Sequence, residues 1–319
     1  MKLLPTVCNN DEYFALHPRE EPWLAAARAL CERHDLPAGE LSRRLDGGNV
    51  VYRAGASHFI KLFAPLFVAE HAGELAALEL VTGKLPVATP ELTASGELEG
   101  WPYMVLRAVP GLPAAECWSR LDPGGQLRVA REIGELARAI RGLPIDGLGA
   151  LPRDWPAFLA ERRASFLSDH RRRGAPEALV EGLLQLVERA SLPSGPLVLL
   201  HADLADVNVL LAQGDGGWHV SGVIDFGDGF VGAADYELVT PGEFLFCGRP
   251  DLVRAFLVAY GYPEQALDEA LAARLLALTV LHRFANVGRL ARRVAERTGL
   301  PLQDVSLARL QDIAWRARP

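Results

Sequence analysis

His201-Ala202-Asp203-Leu204-Ala205-Asp206-Val207-Asn208-Val209-Leu210-Leu211 follows directly on the apolar run Leu197-Val198-Leu199-Leu200. A histidine, two carboxylates and an amide thus sit between two strand-like segments. A carboxylate at the end of an apolar strand is costly to desolvate unless something positive satisfies it. The pattern recurs at Val223-Ile224-Asp225-Phe226-Gly227, and residues 222–226 read as a strand that forms a β-hairpin with the first stretch. A Mg²⁺ ion bound by Asn208 and Asp225 would satisfy both, since that ion takes hard oxygen ligands from a few side chains and completes its shell with phosphate and water. Asp203, five residues before Asn208, would face the same cavity without having to be a ligand. There it would accept the proton of a hydroxyl or simply orient it.

A second positive charge is found upstream. Of 33 basic residues only Lys2, Lys61 and Lys84 are lysine, so a lysine inside a strand calls for a reason. Lys61 lies in Phe59-Ile60-Lys61-Leu62, where alternation puts it on the face opposite Ile60 and Leu62. Glu74 follows in the next helical segment with Glu70 one turn earlier on the same face, and either can pair with Lys61. A lysine for phosphate, Mg²⁺ ligands and a carboxylate for an acceptor hydroxyl are the parts that phosphoryl transfer from ATP requires.

The surrounding pattern is α+β. After a helix from about Trp23, short apolar stretches at 41–45, 50–53 and 58–63 are separated by Asp46-Gly47-Gly48-Asn49 and Gly55, and read as a β-meander. Residues 65–83 carry a helical period. Two more strands, 91–94 and 103–108, are expected around a turn at Ser95-Gly96. Val109-Pro110-Gly111-Leu112-Pro113 is the linker candidate, because two prolines and a glycine continue neither element. Helical patterns follow at 126–143, 157–171 and 176–190, and after the hairpin at 252–260, 265–297 and 306–316. This organisation predicts a nucleotide-binding lobe over 1–108, with an N-terminal helical extension, and a catalytic and acceptor-binding lobe over 109–319.

These motifs, in this order, resemble the aminoglycoside phosphotransferase and choline kinase-like family, the small-molecule branch of the protein-kinase-like fold. The resemblance runs from about residue 45 to 262 and rests on Gly47-Gly48-Asn49, Lys61, Glu74-x-x-x-Leu78, Lys84-Leu85-Pro86-Val87, Met104 to Gly111, His201-x-Asp203-x-x-x-x-Asn208 and Ile224-Asp225-Phe226-Gly227. It implies a small antiparallel-sheet lobe above a larger, mainly helical one. It further implies that Gly47, Gly48 and Asn49 lie under the ATP phosphates, that the backbone of Arg107 to Val109 holds adenine, and that Leu106 stands at the pocket wall. Arg107 departs from the family, whose members often place an acid there, and its side chain is expected to point to solvent; Asp235, in Asp235-Tyr236-Glu237-Leu238, resembles the family's Asp-Leu element and is read as structural. The implied activity moves the ATP γ-phosphate to a hydroxyl of an aminoglycoside-type antibiotic. The second reading is a kinase for a metabolic alcohol of the choline, sugar or homoserine type, and the contrasting one a catalytically silent nucleotide-binding scaffold.

Several residues take plainer roles. His201 is expected to fix its loop rather than move a proton, Asp206 to hold the same loop, and Asp228 to be a turn residue. Arg289, Arg292, Arg293 and Arg297 recur at near-helical spacing and read as one solvated face. A formal charge of -7 argues against a sequence-independent nucleic-acid binder. Trp101, Trp155, Trp218 and Trp315 have no basic cluster interleaved with them. The four cysteines show no CxxC pair, so neither zinc nor a disulfide framework is indicated. No apolar run reaches the roughly 18 residues of a membrane helix. The opening Met-Lys-Leu-Leu-Pro, soon followed by Asn9, Asn10 and Asp11, does not read as a signal peptide, and a cytoplasmic protein without membrane or protein partner is expected.

Overall fold

The computed structural model describes residues 2–45, 47–146, 149–192, 195–284 and 286–317. Two short helices, α1 (Asn10–Leu16) and α2 (Glu21–Arg33), precede a five-stranded antiparallel sheet. Its strands are β1 (Leu41–Arg44), β2 (Val50–Ala54), β3 (His58–Leu62), β4 (Leu92–Leu98) and β5 (Trp101–Arg107), in the order β1-β2-β3-β5-β4. Helix α3 (Val68–Val81) links β3 to β4. Strand alternation divides the sheet as the pattern at Lys61 requires. Val50, Tyr52, Ile60 and Leu62 join Trp23, Ala27 and Leu30 of α2 in a core behind the sheet. Met104, Leu106 and Phe63 pack with Ala77 and Leu78 of α3 in front.

The expected turn at Ser95-Gly96 is corrected. Both residues lie inside β4, paired with Met104 and Tyr103. The reversal comes at Glu99-Gly100, whose φ values of 50° and 85° are those of a tight hairpin turn. Gly96 marks a close approach instead: a Cβ there would meet the Tyr103 hydroxyl at 2.8 Å.

Beyond the sheet, β6 (Leu112–Pro113) and α4 (Ala114–Cys117) lead into the long α5 (Pro123–Arg141), then α6 (Trp155–Arg172) and α7 (Glu177–Arg189). Strand β7 (Leu197–Leu200) ends at the motif, followed by β8 (Val209–Gly214), β9 (Gly217–Val223) and β10 (Phe230–Ala233). A short helix α8 (Val239–Pro241), a π-turn over Gly242–Phe246, and helices α9 (Pro250–Tyr260), α10 (Glu269–Leu281), α11 (Val287–Thr298) and α12 (Leu307–Ala314) complete the helical part. The β8–β9 hairpin forms as expected, with Val209 opposite Val223. The second strand stops at Val223, and Phe226–Asp228 is a 3-10 turn. The hairpin also carries the sheet lobe, because Ala88 donates to Ser221 O at 3.1 Å and accepts from Val223 N at 3.0 Å.

The continuous helix expected over 265–297 is two helices. After Leu281, His282 turns extended (ψ 140°), its Nε2 meets the Ala202 carbonyl at 3.2 Å, and its ring stacks on Tyr236 at 4.4 Å. Tertiary contacts interrupt a period that on its own reads as unbroken. No helix among the described residues is long and apolar enough to cross a membrane.

Candidate active site

Lys61 comes forward from β3 and is 6% exposed. Its Nζ lies 2.7 Å from Glu74 of α3 and 2.8 Å from Asp225 of the loop after β9. Glu74 is therefore the partner, and Glu70, also on α3, is exposed. Burial alone would lower the Lys61 pKa, but Asp225 and Glu74 outweigh it and hold the amine charged above its ordinary range. Lys61 in turn keeps the Asp225 carboxyl below its usual value. The Asp225 side chain is 45% exposed, open to the space between sheet and helices. Its backbone is left-handed, φ 65° and ψ 71°, a conformation Asp tolerates better than most residues.

The motif after β7 is held from behind. At Ala202 (φ 65°) the chain is again left-handed. The fully buried His201 ring meets Ile224 O through Nε2 at 3.0 Å and accepts the Asp203 N–H on Nδ1 at 3.2 Å. Burial lowers its pKa to about 4, so the ring is neutral, and both nitrogens are used in fixing the loop. Asn208 donates through Nδ2 to the Asp203 carbonyl at 3.0 Å and to its Oδ2 at 2.9 Å. That orientation leaves Asn208 Oδ1 as the free end of the amide. Ile224 N donates to Asn208 O at 3.0 Å, which brings the Asn208 and Asp225 positions together across the hairpin. Burial, with the Asp228 and Asp225 charges adding to it, pushes the Asp203 carboxyl up to about 7. Asp206 ties the loop to α4 through its carbonyl, which accepts the Ala115 N–H at 2.9 Å. Asp228 is paired with Arg283 at 2.7 Å.

At the other end of the cleft, Leu106 is buried in the front core. The Arg107 N–H donates to Glu91 O and the Ala108 N–H to Ser57 O, both at 2.8 Å. Val109 N–H is then left without a protein partner among the described residues. The Arg107 side chain is 59% exposed beside Glu91, as expected. Val109 passes so close to Gly222 that any Cβ there would strike its Cγ1. Gly47, Gly48 and Asn49 form the turn between β1 and β2; Asp46 lies outside the described residues. Among the described residues, and chain neighbours apart, nothing lies within 4 Å of where a Cβ would stand on Gly47 or Gly48, so the turn has room over it.

Sequence reasoning missed Glu237. It is 1% exposed, and its Oε2 accepts the backbone N–H of His201 at 2.6 Å and of Ala202 at 3.3 Å. Asp235 is structural as expected, bonded to Arg274 at 2.9 Å and Tyr262 at 2.5 Å, but the loop is tethered two residues later. The Asp-Tyr-Glu-Leu stretch held the signal in an i, i+2 alternative. Burial pushes the Glu237 carboxyl up to about 8, and Oε1 has no partner among the described residues. Between the ordinary carboxyl range and about 8 the folded state keeps a proton that the unfolded chain has released. Stability from this group is therefore full at acid pH and is lost as pH rises through that window. Glu237→Gln, a neutral mimic, is expected to melt near wild type at pH 5 and a few degrees above it at pH 8.5. Glu237→Ala, which orphans two buried N–H groups, is expected to cost about 2–4 kcal/mol in denaturant titrations.

The solvated arginine face is also corrected. Arg289 binds the buried Glu243 through Nη2 at 2.7 Å, and Arg293 donates through Nη1 to the Glu243 and Phe244 carbonyls, both at 2.6 Å. Their guanidinium groups lie 4.5 and 5.1 Å from the Phe244 ring centroid. A π-turn leaves carbonyls that an ordinary helix would satisfy internally, and α11 supplies the donors. Arg292 and Arg297 do remain exposed.

Among curated proteins, an aminoglycoside 3'-phosphotransferase of Streptomyces fradiae is 31% identical over 163 residues, 47% of this chain. The match spans about half of that relative, 54% of its length. The GDP and kanamycin complex of APH(2")-IIia superposes with a TM-score of 0.65 at 18% identity, covering 82% of this chain and 87% of that one. The macrolide 2'-phosphotransferase MphH from Brachybacterium faecium gives 0.58 at 20% identity, over 86% and 93% of the two chains. These likenesses establish the two-lobed kinase-like fold, and a family profile matches residues 41–274. The chain belongs to the phosphotransferase enzyme family.

Proposed function

We propose that the chain moves the γ-phosphate of ATP to a hydroxyl of a small molecule, with aminoglycoside-type antibiotics as the first acceptor class. One observation carries the reading. Lys61, backed by Glu74, reaches across the cleft to Asp225, while Asp203 and Asn208 are hydrogen-bonded to each other beside it. On this reading residues 1–108 form the nucleotide-binding lobe and 109–319 the catalytic and acceptor-binding lobe.

Lys61 serves the phosphates as a point charge. Val109 N–H and the Arg107 carbonyl face adenine, Leu106 walls its pocket, and Gly47, Gly48 and Asn49 cover the phosphates. Asn208 Oδ1 and the exposed Asp225 carboxylate form a two-oxygen donor set. The described residues hold no cluster of three or more His, Cys, Asp or Glu for a metal, so phosphate and water would complete the shell, which suits Mg²⁺. Such an ion neutralises charge that develops between the phosphates. Asp203 receives the acceptor's proton as its oxygen bonds to phosphorus and the bond to the β,γ-bridging oxygen breaks, releasing ADP. Raised toward neutrality by its surroundings, its carboxyl is poised for that exchange. A silent scaffold is disfavoured because Lys61, Asp203, Asn208 and Asp225 are all present and assembled.

ATP in a reducing cytoplasm is the supply this activity needs. Its test is Mg²⁺-dependent ADP release with aminoglycosides, macrolides, amino alcohols and sugars as separate arms. The proposal expects stimulation well above the acceptor-free rate in the aminoglycoside arm. Stimulation by amino alcohols or sugars alone moves the chain to the metabolic reading, and inertness with intact ATP binding gives it to the scaffold.

A further inference from the structure

Helix α1 precedes the family-matched region, and its residues contact the nucleotide turn directly. Asn9 caps the helix by accepting the Glu12 N–H at 2.9 Å, and Glu12 returns a bond to Cys8 N at 2.8 Å. Further back, Leu3 and Leu4 N–H groups bind the Glu99 carboxylate at 2.9 Å, and the Trp101 indole donates to Pro5 O at 3.2 Å. The helix is thus fastened to the sheet independently of the turn.

From it Tyr13 and His17, one helical turn apart, reach the same loop. The Tyr13 hydroxyl donates to Gly48 O at 2.6 Å, and His17 Nε2 meets Asn49 O at 3.1 Å. Tyr13 is fully buried and His17 is 8% exposed. Arg43 of β1 secures the end of the helix by donating to His17 O at 2.8 Å. Because a trans peptide points its C=O and N–H in opposite directions, a Gly48 carbonyl drawn toward α1 turns the Asn49 N–H away from it. The same Tyr13 ring stands edge-on to Phe67, centroids 5.2 Å apart, at the residue capping α3, the helix of Glu74.

We infer that Tyr13 and His17 are positioning residues for the nucleotide: α1 is a strut that sets the carbonyls of the 47–49 turn backward and so presents its N–H groups to the phosphates. A glycine-bearing turn with open space above it would otherwise sample many orientations, and ordering it would be charged against binding. The inference rests on the phosphotransferase reading, since it needs a triphosphate beneath the turn.

The test uses the full chain and four proteins: wild type, Tyr13→Phe, His17→Ala and His17→Gln. Tyr13→Phe deletes one hydroxyl, and a glutamine amide restores a donor that alanine lacks. Loss of one such bond is expected to raise the Kd and KM for ATP about three- to tenfold, with acceptor KM and kcat within about twofold. Melting temperature stays near wild type in Tyr13→Phe, and His17→Gln recovers most of what His17→Ala loses. Unchanged ATP affinity in both Tyr13→Phe and His17→Ala overturns the strut. So does a fall in melting temperature with ATP and acceptor KM moving together, the mark of a merely structural role. If wild type binds no ATP by calorimetry, the phosphotransferase reading itself fails.

Discussion

Asp203→Ala is expected to lower kcat by about 10²- to 10⁴-fold, the range of a positioned acid or base, while ATP affinity stays within about twofold. The separation follows from geometry. Asp203 touches neither Lys61 nor Asp225 directly, and its bonds run to Asn208 and, through its N–H, to His201. Alanine keeps the backbone carbonyl that holds Asn208 Nδ2, so the amide stays oriented. Asp203→Asn is the sharper probe, because its Oδ1 still accepts from Asn208 but can no longer take a proton. If Asp203 accepts the hydroxyl proton, asparagine fails as badly as alanine. If it only orients the hydroxyl, asparagine keeps a substantial part of kcat. Single-turnover rates with saturating acceptor separate the two. Rates within tenfold of wild type in both variants would remove Asp203 from the reaction.

The parts of this site that were legible in the sequence are those whose chemistry conflicts with their surroundings. A lysine in an apolar strand of a chain that otherwise uses arginine, and carboxylates at strand ends, each demand a partner, and the structure brings Lys61, Glu74 and Asp225 within hydrogen-bond reach. The strand pattern around Lys61 was equally readable, since period-two alternation assigns faces without knowledge of neighbours. What stayed hidden depends on tertiary contacts. Glu237 is one of two acids in Asp235-Tyr236-Glu237, and only the packing of that segment beneath β7 decides which carboxylate meets the His201 N–H. The helix stops at Leu281 although its periodicity continues, because Tyr236 and the Ala202 carbonyl claim His282. The arginines of α11 looked solvated because nothing in their spacing announces a π-turn with carbonyls to satisfy. Gly96 looked like a turn for the same reason: a glycine needed for the Tyr103 ring cannot be told by sequence from one needed for a reversal.

Asp225→Ala is expected to have the largest effect on nucleotide use, lowering kcat/KM for ATP by about three orders of magnitude or more and abolishing the Mg²⁺ dependence of ATP affinity. Two functions disappear with one carboxylate: a charge that holds Lys61 forward, and one of two proposed oxygen ligands. The fold should be far less affected, since Lys61 keeps Glu74 at 2.7 Å and the Asp225 side chain is half exposed. What alanine does bring is strain, because the position is left-handed, and a residue without a short polar side chain is expected to cost about 1 kcal/mol there. Asp225→Asn tolerates that backbone and still accepts a bond from Lys61, so it should melt near wild type while losing the charge. Asp225→Gly avoids the strain that alanine brings but gives up the Lys61 pair, so it should melt above Asp225→Ala, yet be as inactive as alanine. Melting temperature and ATP affinity with and without Mg²⁺ across the three variants therefore read different properties of one residue. Near-native stability in Asp225→Asn beside a loss of catalysis would mark the Asp225 charge as kept for the reaction and not for the fold. Retention of Mg²⁺-dependent ATP binding in all three would place the metal elsewhere and leave Lys61 and Asp225 as a structural pair.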